Sequence, residues 1–341
     1  MGIIINDNRP EKEFNIYTFS NYKKNDVIRT FINCMNSGDV EGSVSWCIEL
    51  LSSGRLKDIW DCFLLLLGKY IRIGNPKLGL YISKRFGQFK EIIINGYNGC
   101  ELDIRNNDDM RKLLCEITLV FCFSPKKPPL LMITINKKND FSFDKLSHQL
   151  KATNMEWYKK IMVEDDPNEI ILAINEFMYN FNQKNLLLCC YWIDWIIEFD
   201  AMCRKQKKPI NIVNRNNGIV DQKFVRDPIW LIWEVLLTHA DATKTKQDIV
   251  KSLLSLFCLK YNFAQKKKRK YLLYMGVELL TENVDTNILI IHNGDKIKAV
   301  LSQLDKFYRV IKKYEVAPDI AIETQTNLQK SIDKMKLINL I

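Results

Sequence analysis

The sequence predicts an all-α fold, a multi-helix protein built from antiparallel helix pairs. Three observations predict it. Apolar residues recur at spacings of three and four along most of the chain. Gly, Asn and Pro interrupt these stripes at short intervals, so neighbouring helices must fold back on one another. Only "LLMITIN", 130–136, reads as a strand; a lone strand has nothing to pair with, so at most a minor strand or hairpin is expected near 130–140.

The elements follow in order. Residues 1–22 read as an extended N-terminal arm. Helical periodicity starts after Asn25 with Val27, Ile28, Phe31 and Met35. Ser37-Gly38-Asp39 ends this helix and caps the next, whose stripe of Val40, Val44, Cys47, Ile48 and Leu51 stops at Gly54, a residue suited to a left-handed C′ position. A third helix carries Ile59, Trp60, Phe63, Leu66 and Leu67 and stops near Gly74. Asn75-Pro76 reads as the N-cap and first residue of a fourth, through Leu78, Tyr81, Ile82 and Phe86. Together these predict a compact four-helix unit over 26–86 with Trp46 and Trp60 mostly buried in it.

Asn95-Gly96 and Asn98-Gly99 read as turns before a helix over 108–123. "SPKKPP", 124–129, then divides an N-terminal helical domain, 23–124, from a connecting region, 125–165. A C-terminal helical domain is expected over 166–315. Asp166-Pro167 opens its first helix. Asn185 opens a second, "LLLCCYWIDWIIEFDAMC", which carries acids and reads as a buried central helix rather than a membrane span. The long loop 204–226 has a length common in functional or mobile segments. Asp227-Pro228 starts "IWLIWEVLLTHA", two helices cover 246–263 and 264–282, and one amphipathic helix covers 295–313. The tail, 316–341, is polar and ends in a short helix.

Composition narrows the class. The 341 residues are 47% hydrophobic and 26% charged, the balance of a folded globular chain. Ten Cys without a CxxC pair and only three His argue against a zinc site and for free, buried thiols in a reducing compartment. No apolar run reaches the roughly 20 residues of a membrane span, so no membrane partner is expected. No GxxxxGK[ST], GxSxG, HExxH or HxE pattern occurs, and no GxGxxG precedes a helix. The expectation is therefore no catalytic residue, no metal, no cofactor and no enzyme. Asp58 and Asp61 read as a solvated face, His239 as a side chain at a helix end, and Asp194 with Glu198 as a satisfied or exposed pair.

The basic residues are the candidate site. Lys and Arg exceed Asp and Glu by 50 to 40, a formal charge of +10. They concentrate in "QKKKRK", 265–270, and "RKQKK", 204–208. Lys266, Lys267, Lys268, Arg269 and Lys270, with Arg204, Lys205, Lys207 and Lys208, could form an electrostatic footprint for a phosphate backbone. The first five fan around a helix start, and Lys267, Lys268 and Lys270 are expected to be exposed. A solvated face and a nuclear import signal are the other readings of the same residues.

Two resemblances add to this. "GDVEGSVSWCIELLSSGRLKDIWDCFLLLLGKYIRIGNPKLGLYI", 38–82, resembles the C-terminal collar of clamp-loader-clade AAA+ ATPases, the matching residues being Ser43, Trp46, Gly54, Gly74, Asn75 and Pro76. The ATPase module is not in the sequence, so this resemblance implies assembly rather than nucleotide hydrolysis. Together with "IRIGNPKLGLYISKRF", "NLLLCCYWIDWIIEFD" and "DPIWLIWEVLL", the segment "SGDVEGSVSWCIELLSSGRLKDIW" also resembles an uncharacterised family of nucleocytoplasmic large DNA viruses (giant viruses). The viral resemblance implies a home and no activity. From the whole sequence the expected role is a non-catalytic helical scaffold or oligomerisation protein in a replication or transcription assembly, meeting other viral proteins or itself, with weak DNA or RNA binding through the basic clusters as an open option. The alternative is a virion or virion-assembly component with no nucleic-acid role. Either would place it in the host cytoplasm, in a viral factory or the virion.

Overall fold

Helix boundaries follow the capping chemistry. The computed structural model describes residues 2–7, 9–96, 101–142, 146–215, 219–240, 243–316, 331–332 and 334–335. Among them are α1 (Lys24–Ser37), α2 (Val40–Ser52), α3 (Leu56–Leu66), α4 (Leu78–Gly96), α5 (Glu101–Asn106), α6 (Asp108–Phe123), α7 (Ile171–Asn182), α8 (Leu186–Lys205), α9 (Ile229–His239), α10 (Lys244–Cys258), α11 (Phe263–Thr281), α12 (Gly294–Leu301) and α13 (Leu304–Lys312). The protein is all-α: among the described residues, strand pairing is limited to one bridge between Tyr17 and Lys23. Residues 130–136 form no strand and no helix.

Gly38 turns left-handed at φ +77° to end α1, and the Asp39 carboxylate accepts the Gly42 N–H to start α2. Gly54, at φ +68°, ends α2 while the Arg55 N–H bonds back to the Leu50 carbonyl. Asn107, Asn185, Thr243 and Asn262 cap α6, α8, α10 and α11 through their side-chain oxygens.

Three boundaries differ from expectation. α3 runs on as a five-residue π turn, Leu67–Ile71, and a 3-10 turn, so α4 starts at Leu78 rather than at Pro76. Asn95-Gly96 closes the last turn of α4; Asn98-Gly99 and nearly all of the 316–341 tail lie outside the described residues. The helix expected over 295–313 is two helices. The Ser302 hydroxyl donates to the Ala299 carbonyl at 2.7 Å, a local bond that competes with helix continuation, and the chain breaks at Ser302-Gln303.

The chain divides into two units. One comprises residues 1–66, 81–126 and 289–341, the other 67–80 and 127–288. One crossing falls at the Pro-rich break, but α12 and α13 belong to the first unit and the π turn to the second, so the division is not a single cut between 23–124 and 166–315.

In the first unit α1, α2 and α3 pack together and α6 packs on all three. Trp60 is fully buried, edge-on to Phe63, Phe86 and Phe89 at centroid distances of 5.7, 5.3 and 4.9 Å for Phe63, Phe89 and Phe86 respectively. Phe63 stacks on Phe121 of α6 at 5.3 Å, so the four helices expected over 26–86 do not close a core without α6. Trp46 is mostly buried as expected, though less than Trp60, and lies edge-on to Tyr22 at 5.3 Å. The N-terminal arm is docked rather than loose. Arg105 donates to the carbonyls of Asp7 and Arg9, Arg111 to that of Ile3, and Phe14 and Phe19 are buried.

In the second unit α7 and α8 form an antiparallel hairpin, α11 packs on α8, α9 and α10, and α8 is the buried central helix expected. The connecting region is tied down too: Glu176 of α7 accepts the N–H groups of Lys151 and Ala152, both at 2.9 Å. In the long loop, the Arg215 side chain is buried and clamped to Asp166 and Glu234.

Trp60→Ala should cost about 3–5 kcal/mol in denaturant unfolding, and Trp46→Ala clearly less. Alkali gives a second check. Burial pushes the thiols of Cys122 and Cys258 up from 9.0, to about 11 and about 12. The unfolded chain then ionises first, so stability from these groups is full below pH 9 and is lost as pH rises through 11 to 12. Replacing both with Ala should flatten this limb of the stability–pH curve measured by urea unfolding.

Candidate functional site

Residues four apart share one face of a helix. On α11 this puts Lys266, Lys270, Tyr274 and Glu278 in one row. The opposing α8 carries Asp194, Glu198 and Asp200. The helices run antiparallel, so early residues of α11 meet late residues of α8, and the two rows form a polar ladder.

Lys266 is 2% exposed. Its Nζ lies 2.6 Å from Asp200 Oδ2 and 2.9 and 2.8 Å from the two oxygens of Asp227. Asp200 also accepts Arg204 Nε at 3.0 Å, and Asp227 accepts the Tyr261 hydroxyl at 2.8 Å. Two cations and two carboxylates bring this cluster to neutrality, which is the condition for burying an ammonium. One turn on, Lys270 Nζ binds both oxygens of Asp194 at 2.9 and 2.8 Å, and the Tyr274 hydroxyl donates to the same carboxylate. Burial, then the adjacent Asp194 charge, pushes the Tyr274 phenol far up. Glu198 takes both Lys137 and Lys267. Burial pushes its carboxyl up, but bonds to the two ammonium groups outweigh this and hold it below its ordinary value.

The candidate basic residues therefore have different fates. Lys266 is buried, not surface-directed, because only an interior site supplies it with two carboxylates. Arg269 is buried as well, donating to the carbonyls of Phe257 and Leu259 at the end of α10. Lys270 is half-buried, against its expected exposure, because Asp194 holds it. Arg204 is half-buried, its guanidinium 3.6 Å from the centroid of the Phe263 ring. Lys205, Lys207, Lys208, Lys267 and Lys268 are exposed. All but Lys267 lack an ion pair among the described residues. Asp200 joins the two sequence clusters, since it binds Arg204 from one and Lys266 from the other.

The partners were the part that sequence reasoning missed: Asp200, Asp227, Tyr261, Tyr274, Arg72 and Glu278. The four-residue spacing from Lys266 to Glu278 was the signal that could have found the row. Arg72 approaches Glu278 at the end of it, with Nε 3.5 Å from Oε2. Asp194 is a satisfied member of the ladder. His239 Nδ1 lies 2.8 Å from the Val235 carbonyl at the end of α9, and Asp58 and Asp61 pair with Arg55 and Lys57. Among the described residues no group of three or more His, Cys, Asp or Glu could hold a metal ion, and no helix is long and apolar enough to cross a membrane. No protein family, curated protein or solved structure matches the chain.

Removing the ammonium alone should leave Asp200 and Asp227 undercompensated. Lys266→Met is expected to lower unfolding free energy by about 3–5 kcal/mol, and Lys266→Met with Asp227→Leu should recover part of the loss. Lys268→Met should stay within about 0.5 kcal/mol of wild type in the same urea titrations.

Proposed function

We propose that the protein is a non-catalytic helical scaffold of a large DNA virus. It works by assembly with other viral proteins or with itself, and touches nucleic acid weakly through the surface where α8 ends and α11 begins. The observation that carries this reading is the joining of the two basic clusters at Asp200, which leaves Lys205, Lys207, Lys208 and Lys268 exposed without an internal carboxylate. Exposed lysines on flexible stems suit a phosphate backbone and carry no base readout. The ladder behind them supports a structural reading of Lys266, Lys267 and Lys270, because each is held by a carboxylate of the chain itself.

The test is retention of labelled duplex and single-stranded DNA at low and moderate salt. Wild type should bind all sequences alike, and each neutralised phosphate should add about −0.9 to the salt slope on duplex. The variant carrying Lys205→Glu, Lys207→Glu, Lys208→Glu and Lys268→Glu should lose this binding and keep the wild-type unfolding midpoint. Equal binding by the two proteins, or none by either, removes nucleic acid and leaves a protein-only assembly role in the factory or virion. Affinity purification from infected cells with nuclease treatment then tests the assembly role. Nucleotide turnover that depends on a residue of this chain would overturn the non-catalytic reading.

A further inference from the structure

One buried cation of the second unit is left short of partners. Arg72 follows the π turn and has φ +49°. Non-glycine residues with such a backbone are uncommon, and π turns within helices often mark functional places. The turn is pressed against α11: a Cβ on Gly68 would stand 2.6 Å from the Tyr271 backbone carbon. Over the turn runs the irregular segment 127–132. It is tied down by the Lys127 N–H to the Tyr70 carbonyl at 2.7 Å and by Arg72 Nη2 to the Pro128 carbonyl at 2.9 Å. Turn, segment and α11 together enclose a cavity of about 270 Å³.

The charged wall of this cavity is cationic. Lys69 and Arg72 line it, with Tyr271 and Tyr274, and Leu130 and Met132 supply an apolar side. Arg72 is 5% exposed, yet its Nε and Nη1 have no hydrogen-bond acceptor among the described residues. Its counterion Glu278 stands at 3.5 Å, and Glu278 Oε2 has no hydrogen-bond donor either. Lys266, by contrast, has two carboxylates within 2.9 Å. Burial raises the Glu278 carboxyl despite Arg72, which weakens it further as a counterion. Lys266 is thus a satisfied buried cation and Arg72 an under-compensated one, and Arg72 borders a cavity with Lys69 beside it.

We propose that this cavity binds a small oxyanion, a carboxylate or phosphate group carried by a small molecule, with Lys69 and Arg72 as its cations and Leu130 and Met132 against its apolar part. The proposal is independent of the scaffold role.

Isothermal titration of the full chain with inorganic phosphate, and separately with acetate, at constant ionic strength in chloride tests it. Wild type should bind at least one anion saturably at one site per chain. Phosphate alone points to a phosphoryl ligand, acetate alone to a carboxylate. Lys69→Gln should weaken binding roughly tenfold or more, the worth of one charge-assisted hydrogen bond. Leu130→Trp, which fills the cavity, should abolish binding. Both residues are half-buried at the cavity wall, and wild-type unfolding midpoints certify the variants. Lys251→Gln, an exposed lysine of α10 outside the cavity and outside the basic surface, should bind as wild type. No saturable binding of either anion by wild type, or undiminished binding by Lys69→Gln or Leu130→Trp, overturns the proposal.

Discussion

The interior of the second unit depends on the burial of one ammonium group. An unpaired charge at the Lys266 position would cost several kcal/mol. It is instead held by Asp200 from α8 and by Asp227 at the start of α9. Asp227 accepts the Ile229 N–H as well, so the carboxylate that neutralises Lys266 also starts a helix. Tyr261 reaches the same carboxylate from the turn between α10 and α11. Three helices and the turn between α10 and α11 are therefore keyed to one charge cluster. Apolar packing supplies most of the driving force, as in any core, but it is non-directional. The ion-pair ladder is directional, and sliding α11 along α8 by one turn would leave a buried carboxylate facing no cation.

The first unit uses guanidinium groups in the same way. Arg105, buried at the end of α5, donates to backbone carbonyls of the N-terminal arm and lies over the Phe14 ring at 5.1 Å. Arg111 of α6 donates to the Ile3 carbonyl and lies 3.8 Å from the centroid of Tyr308 of α13. One planar cation thus binds the arm on one side and a distant helix on the other. Carbonyls of an irregular segment must find donors when buried, and arginine, with five N–H groups, supplies several at once. This explains how residues that read as an extended arm come to be docked.

Local chemistry was legible where it acts alone. Asp39, Gly54, Asn185 and Asp227 punctuate helices in the manner their side chains and backbone freedom dictate, and the 108–123 helix is where its apolar stripe places it. Reading failed where a residue's role depends on something far along the chain. The break at Ser302 comes from a hydroxyl whose preference for the backbone is not visible in an otherwise continuous amphipathic pattern. For the candidate site, five consecutive basic residues read as a surface because lysine is rarely buried without a partner. The partners lie 66 and 39 positions away.

The sequence by itself determined that the chain is helical, roughly where most helices begin and end, and which faces are apolar, because capping and the 3.6-residue period are properties of a few neighbouring residues. Tertiary structure decided which charges are surface and which are interior, how α6 completes the first core, and that Arg72 meets a cavity with its counterion at the limit of reach. Those outcomes depend on distances between segments remote in the chain. Burial then multiplies their consequences, since the same lysine that is indifferent in water must have its carboxylate once water is gone.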